Sequence, residues 1–255
     1  MSLLEAALGV LSGFVAGSLA GAFGVGGAIL TTPAVQVLLG APPIVAVGTP
    51  LPVIFPTTAV AAWSYARTGN LDGRAVRWAA PPGAAGSAAG ALATDSVEPH
   101  ALLLATAALV CWQAVSVARG RDRPEEALRR PSGWAYAGAG LGAGIVSGLL
   151  GIGGGIVLVP ALTALLGMPL KRAIGTSLVV ITAIVVPGTA VHAVLGHIDW
   201  AIALALAVGV VPGARLGAAL TIRAGDRALR LVVGAFLGTL GLAYGVFEVA
   251  ELARG

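Results

Sequence analysis

Apolar blocks separated by short polar or glycine- and proline-rich segments follow one another along the whole chain. They cover about residues 3–39, 44–66, 75–94 and 100–118, and then 134–167, 173–195, 200–222 and 228–250. A helix rises about 1.5 Å per residue and needs about 20 residues to cross hydrocarbon. Six of the blocks are single spans on that measure, but the first block of each set of four is too long for one span and too short for two. Both long blocks are cut by glycine strings, Gly24-Val25-Gly26-Gly27 and Gly151-Ile152-Gly153-Gly154-Gly155. Glycine takes positive φ freely and offers no side chain to pack, so a helix ends there. The remnants at 28–39 and 156–167 make roughly 18 Å of helix each, the length of a half-helix that dips in and returns. Each long block therefore predicts a hairpin of helix, glycine turn and half-helix.

The second set of blocks copies the first at an offset of 127 residues. Gly17, Gly21, Gly24, Gly26 and Gly27 fall on Gly144, Gly148, Gly151, Gly153 and Gly154. Pro33, Gly40, Gly48, Thr49, Gly69 and Asp72 fall on Pro160, Gly167, Gly175, Thr176, Gly196 and Asp199 without insertion. A fixed register through so many special backbone residues predicts a duplicated unit: one repeat at 1–118, a polar linker at 119–132 and a second repeat at 133–255.

Charge changes the picture by orienting the halves. Arg67, Arg74 and Arg77 sit in a loop whose counterpart around Gly196–Trp200 has no Lys or Arg. The acidic loop of Asp95 and Glu98 answers to one carrying Arg223, Arg227 and Arg230, and uncharged 40–43 answers to Lys171 and Arg172. Basic loops stay on the cytoplasmic side. That puts 67–77, 119–132, 171–172 and 223–230 inside, and 40–43, 95–99 and 196–199 outside. The expected fold is all-α, a polytopic membrane protein of two inverted-topology repeats. Each repeat holds a glycine-broken hairpin and three spanning helices.

Composition agrees. Hydrophobic residues make up 57% and charged residues 10%, where a soluble domain carries roughly a quarter charged. A soluble enzyme, a disordered chain and a nucleic-acid-binding module are excluded. The net charge of +4 is spread over loops rather than gathered on a face, so no nucleic-acid partner is expected. The single cysteine, Cys111, lies in an apolar run, which excludes a disulfide framework and a Cys-based metal site; no metal or cofactor is expected. Leu3 to Ala22 resembles a signal peptide in length, but it has Glu5 in place of a basic start and its end recurs in the interior, so it is expected to belong to the fold. No sequence signal sets the oligomeric state.

Broken helices in an inverted repeat place unwound backbone near the bilayer midplane, where it is tolerated only inside protein or beside a polar cavity. The half-helices begin at the glycine turns, so their first N–H groups form an anion site. The expected binding residues are Gly24, Gly26, Gly27, Thr31, Thr32 and Thr49 in the first half. Gly151, Gly153, Gly154, Gly155, Thr176 and Ser177 are those of the second. The competing reading of any one Gly or Thr is close helix packing or back-bonding to a carbonyl. Gly48-Thr49-Pro50 and Gly175-Thr176-Ser177 also suggest breaks early in the next span. His192 is a candidate proton relay or a hydrogen-bonded structural residue, and Arg215 attracts an anion or snorkels to the interface. The Asp and Glu residues sit in loops or at span ends, which disfavours cation transport. The expected partners are a small anion and the lipid bilayer. A passive anion channel is the nearest alternative. An intramembrane serine hydrolase using Ser147 or Ser177 with His192 is a distant one, because Ser177 and His192 lie roughly 22 Å apart along one helix.

Gly21-x-x-Gly24-x-Gly26-Gly27 with Pro33, then Ala46-Val47-Gly48-Thr49, recurs as Gly148 to Pro160 and Ala173-Ile174-Gly175-Thr176-Ser177. Over about residues 3–250 the chain resembles the sulfite exporter TauE/SafE family of membrane permeases. The resemblance implies transport of small sulfur-containing or organic anions, such as sulfite and sulfonates, across the cytoplasmic membrane. Rocking of one half against the other would give alternating access. The chain departs from the fuller motif at Pro50, where the second half has Ser177.

Overall fold

The computed structural model describes residues 3–24, 26–119 and 131–224, with six positions between 235 and 246. Residues 120–130 of the linker and nearly all of the block at 228–250 lie outside the described residues. Helix α1 (Leu3–Phe23) leads into α2 (Ala28–Pro33), then α3 (Pro43–Gly48), α4 (Pro50–Ala66), α5 (Gly73–Ala93) and α6 (Pro99–Arg119). The second half has α7 (Gly133–Leu150), α8 (Gly155–Pro160), α9 (Leu170–Val194) and α10 (Trp200–Arg223). Caps set several of these starts. Asp72 accepts from the N–H groups of Arg74 and Ala75 at the start of α5, and Asp199 accepts from those of Ala201 and Ile202 at the start of α10.

The half-helices α2 and α8 continue as wider turns through Ala34–Leu38 and Ala161–Leu165. Pro33 and Pro160 have no N–H to give the ladder, and the turns after them bond five residues back, Leu39 N–H to Ala34 and Leu166 N–H to Ala161. The expected breaks early in the next span are corrected in the second half. α9 runs unbroken through Gly175, Thr176 and Ser177, because Ser177 keeps its N–H. In the first half the ladder is interrupted at Thr49 between α3 and α4, although Thr49 keeps helical dihedrals (φ −59°, ψ −35°); Pro50 supplies the interruption by lacking a donor.

Small residues govern the packing. On α1, Gly13, Gly17 and Gly21 lie against the backbone of Leu206, Val210 and Ala214 of α10, where an added Cβ would overlap a carbonyl. On α7, Gly140, Gly144 and Gly148 lie in the same way against Ala79, Gly83 and Ser87 of α5. Both registers advance together, so each pair is parallel, and each is the counterpart of the other 127 residues on. α4 crosses α9 in the opposite sense, with the Thr182 hydroxyl 2.8 Å from that of Thr58 and Tyr65 beside Gly175. Tyr65 donates to the Gly21 carbonyl at 3.2 Å, bringing the C-terminal ends of α4 and α1 together. Thus α1, α4 and α10 point one way and α5, α7 and α9 the other.

The exterior is apolar: Trp63, Trp134, Leu204 and Leu220 are all exposed. Without a hydrophobic drive between helices in lipid, close backbone approach at small residues holds the bundle together. Among the described residues, five helices, Leu3–Phe23, Pro43–Ala66, Gly133–Leu150, Leu170–Val194 and Trp200–Arg223, are long and apolar enough to cross a membrane. The fold is all-α, and the chain is a multi-pass membrane protein.

Candidate functional site

Both glycine strings fold into left-handed turns, with φ of 70°, 85° and 81° at Gly24, Gly26 and Gly27 and 68°, 79° and 70° at Gly151, Gly153 and Gly154. Side-chain-bearing residues are strained at such dihedrals, so the strings have a conformational reason. Gly27 ends one turn and accepts from Leu30 N–H at 3.2 Å; Gly154 ends the other and accepts from Val157 N–H at 3.1 Å. The N–H groups ahead of these have no carbonyl one turn back, which leaves a partial positive charge at the start of each half-helix. Gly155 is the buried first residue of α8. The turns touch: a Cβ placed on Gly26 would lie 3.6 Å from the Cα of Gly153 and 3.6 Å from the Ile152 carbonyl oxygen. Ile54 of α4 lies against both turns, and Ile181 of α9 against Gly153.

The expected hydroxyls divide into two groups. Thr31, Thr32 and Ser177 stay with the turns. Thr31 is buried and back-bonds at 3.5 Å to the Gly27 carbonyl, and Ser177 Oγ is 3.1 Å from the Gly24 carbonyl and 2.8 Å from its own helix at Ile174. The Thr32 hydroxyl is fully buried with no hydrogen-bond partner among the described residues. Ser147 shares that property, and its Cβ lies 3.3 Å from a Cβ placed on Gly154. An unmade bond of this kind costs about 1–3 kcal/mol.

Thr49 and Thr176 serve another contact. Thr49 Oγ1 accepts from Asp199 N–H at 3.0 Å, and Thr176 Oγ1 accepts from Asp72 N–H at 2.9 Å. The preceding glycines, Gly48 and Gly175, admit the backbone carbonyls of His197 and Asn70, which an added Cβ would overlap. The Gly-Thr pair of each half therefore clasps the turn before α10 or α5 in the other half. Ala-x-Gly-Thr is here a joint between halves.

His192 is fully buried on α9. Its Nε2 donates to the Gly148 carbonyl at 2.8 Å, and its Nδ1 faces His197 Nδ1 at 3.1 Å. His197 Nε2 in turn lies 3.1 Å from Asp95 Oδ1. Sequence reasoning singled out neither His197 nor Asp95 for this chain. A histidine five residues beyond another, across the helix-ending Gly196, was the available signal. Arg215 is exposed on α10, next to buried Ala214.

Charged loops gather on two faces. On one, Arg172 is 3.8 Å from Asp72, and Lys171 donates to the last carbonyls of α10 at Ile222 (3.1 Å) and Ala224 (2.8 Å). On the other, an open cleft of about 630 Å³ lies between Gly40–Pro42 and Gly196–Trp200, with Val45 and Ile202 on its wall. The loops of 67–72 and 170–172 thus share a face, as do those of 40–43 and 196–199.

A family model described as sulfite exporter TauE/SafE matches residues 9–244. A probable membrane transporter protein of Methanocaldococcus jannaschii is 27% identical, with 91% of this chain and 92% of that protein covered. A probable membrane transporter protein of Bacillus subtilis is 26% identical, covering 91% of this chain and 94% of its own. One of Xylella fastidiosa is 29% identical over 83% of each chain. No solved structure gives a significant match.

Proposed function

The chain belongs to the sulfite exporter TauE/SafE family of membrane transporters, and from that premise we propose that it carries a small oxyanion, sulfite or a sulfonate among them, across the cytoplasmic membrane. The two halves insert upside down to one another and rock about the joint between them. The anion is held where α2 and α8 begin. The observation that carries this reading is the contact of two left-handed glycine turns at Gly26 and Gly153, each opening a half-helix, whose first N–H groups have no carbonyl one turn back within the same helix.

Two further observations support it. Among the described residues, the buried hydroxyls of Thr32 and Ser147 have no partners, and a ligand oxygen there offsets their cost. The donors near the turns are amides and hydroxyls, and the described residues nearest the turn glycines carry no carboxylate, a chemistry suited to an anion. Ile54 and Ile181 close the space around Gly153, so passage requires the turns to part. Gated opening favours a carrier over a passive channel. The cleft between Gly40 and Trp200 is its vestibule on one side.

Purified protein in proteoliposomes tests the reading. Uptake of labelled sulfite or a sulfonate should saturate with concentration and be accelerated by the same anion inside. Flux that rises linearly without counterflow would convert the carrier into a channel, and no flux over a panel of sulfite, sulfonates, carboxylates and halides would remove the transporter reading.

A further inference from the structure

The chain Asp95–His197–His192–Gly148 can be read by counting protons. A carbonyl oxygen only accepts, so the 2.8 Å contact with Gly148 requires a hydrogen on His192 Nε2. The 3.1 Å contact between His197 Nε2 and Asp95 Oδ1 requires one hydrogen between them. The 3.1 Å contact between the two Nδ1 atoms requires another. Three hydrogens are thus needed, whereas two neutral imidazoles beside a carboxylate supply two. The cluster holds one proton more, and the count is the same whether that proton is drawn on Asp95 or on the imidazoles. Without it, two lone pairs would face each other at a hydrogen-bond distance, or one outer bond would be lost.

The surroundings make this proton transferable. The Asp95 side chain is 52% exposed, His197 is 11% exposed, and His192 is fully buried. The chain therefore runs from solvent to the carbonyl of Gly148, three residues before the second glycine turn. The titratable side chain that contacts His192 is His197, which in turn contacts Asp95. Nearby Asp199 spends its carboxylate on the cap of α10. Glu98 spends its own on the start of α6, where the N–H groups of His100 and then Ala101 hold it below the usual carboxylate range. Around Gly148 and Gly188, Ser87 of α5 lies against both glycines and Ser147 of α7 precedes the first, and both are uncharged hydroxyls.

We propose that Asp95, His197 and His192 form a single-proton binding site that couples anion transport to the proton gradient. This rests on the transporter reading above. A proton arriving from solvent at Asp95 closes the link between the segment after α5, in the first half, and the segment before α10, in the second. Its return to water leaves one hydrogen too few: with the Nδ1 atoms still bridged, His197 Nε2 faces the Asp95 carboxylate lone pair to lone pair, and the two segments separate. The carbonyl of His197 lies against Gly48, so the loop that responds to the proton is the one held by the joint between halves.

Two measurements on the full-length protein in lipid nanodiscs or vesicles test it. Nitrogen-15 spectra of labelled histidine should show His192 and His197 losing one proton as a pair, in one step, in signals separate from those of His100. Two imidazoles that titrate separately, or stay neutral throughout, overturn the site. In vesicles with the membrane potential clamped at zero, a one-unit pH gradient at one proton per anion supports about a tenfold anion concentration ratio. His192→Gln and Asp95→Asn should each bring that ratio towards one. Gln keeps a donor for Gly148, and Asp95 is on an exposed segment, so one of the two remains folded if the other does not. A ratio untouched by both variants, or exchange in the unaltered protein that ignores the gradient, overturns the coupling alone. Absence of any exchange in the unaltered protein overturns the transporter reading, and the nitrogen spectra still decide the proton site.

Discussion

Thr49 and Thr176 each satisfy one backbone N–H that begins a helix in the opposite half. Those N–H groups, at Asp199 and Asp72, are partly buried, and the threonines that receive them are fully buried. Replacing Thr176 by Val keeps the shape but leaves the Asp72 N–H without its acceptor, at a cost of about 1–3 kcal/mol. Thermal unfolding in detergent should show both Thr176→Val and Thr49→Val destabilised by similar amounts. Thr31→Val, which removes only a long back-bond at 3.5 Å, should lie within about 0.5 kcal/mol of the unaltered protein. If Thr176→Val unfolds where the unaltered protein does, the joint is held by the glycine contact alone. The sequence made these hydroxyls legible as a matched pair. It did not reveal their task, because each partner is a backbone N–H in the other half.

The hairpins of α1 with α2 and α7 with α8 were the most readable features, since a glycine string inside an overlong apolar block ends a helix whatever packs around it. Their ends were less so: the turns at Ala34–Leu38 and Ala161–Leu165 widen because of a missing proline donor. Gly26 separates conformational from steric need. A Cβ there meets its nearest neighbour, Ile54, at 3.4 Å, an ordinary contact, yet φ is +85°. Gly26→Ala should therefore cost roughly 1–2 kcal/mol of backbone strain while placing a methyl group between the touching turns. The protein should still fold and insert, and initial uptake of the anion should fall at least severalfold. Uptake equal to that of the unaltered protein would take the meeting point of the turns out of the substrate path. His197 escaped notice for a different reason. It lies beyond the end of α9, in a loop, and its carboxylate partner comes from the other half of the chain.

Across the whole molecule, the parallel pairs α1 with α10 and α7 with α5 interlock the halves, so neither half packs its long helix on itself. The opposed directions of α1, α4 and α10 against α5, α7 and α9 give the charged loops their two faces. One gathers Asp72, Lys171 and Arg172; the other gathers Asp95, His197 and the cleft at Gly40–Pro42. The charge pattern predicts opposed halves, because loop charge records orientation rather than packing, and the sidedness of those loops is open to direct test. The most direct measurement is thiol accessibility in intact cells, with Cys111 replaced by Ala and a single cysteine put at Thr68 or at Leu195. These positions stand 127 residues apart, and both are exposed. Opposed halves predict that a membrane-impermeant reagent added outside labels Leu195→Cys and leaves Thr68→Cys unlabelled until the cells are opened. Labelling of both from the same side would contradict the inverted arrangement, and the rocking mechanism with it.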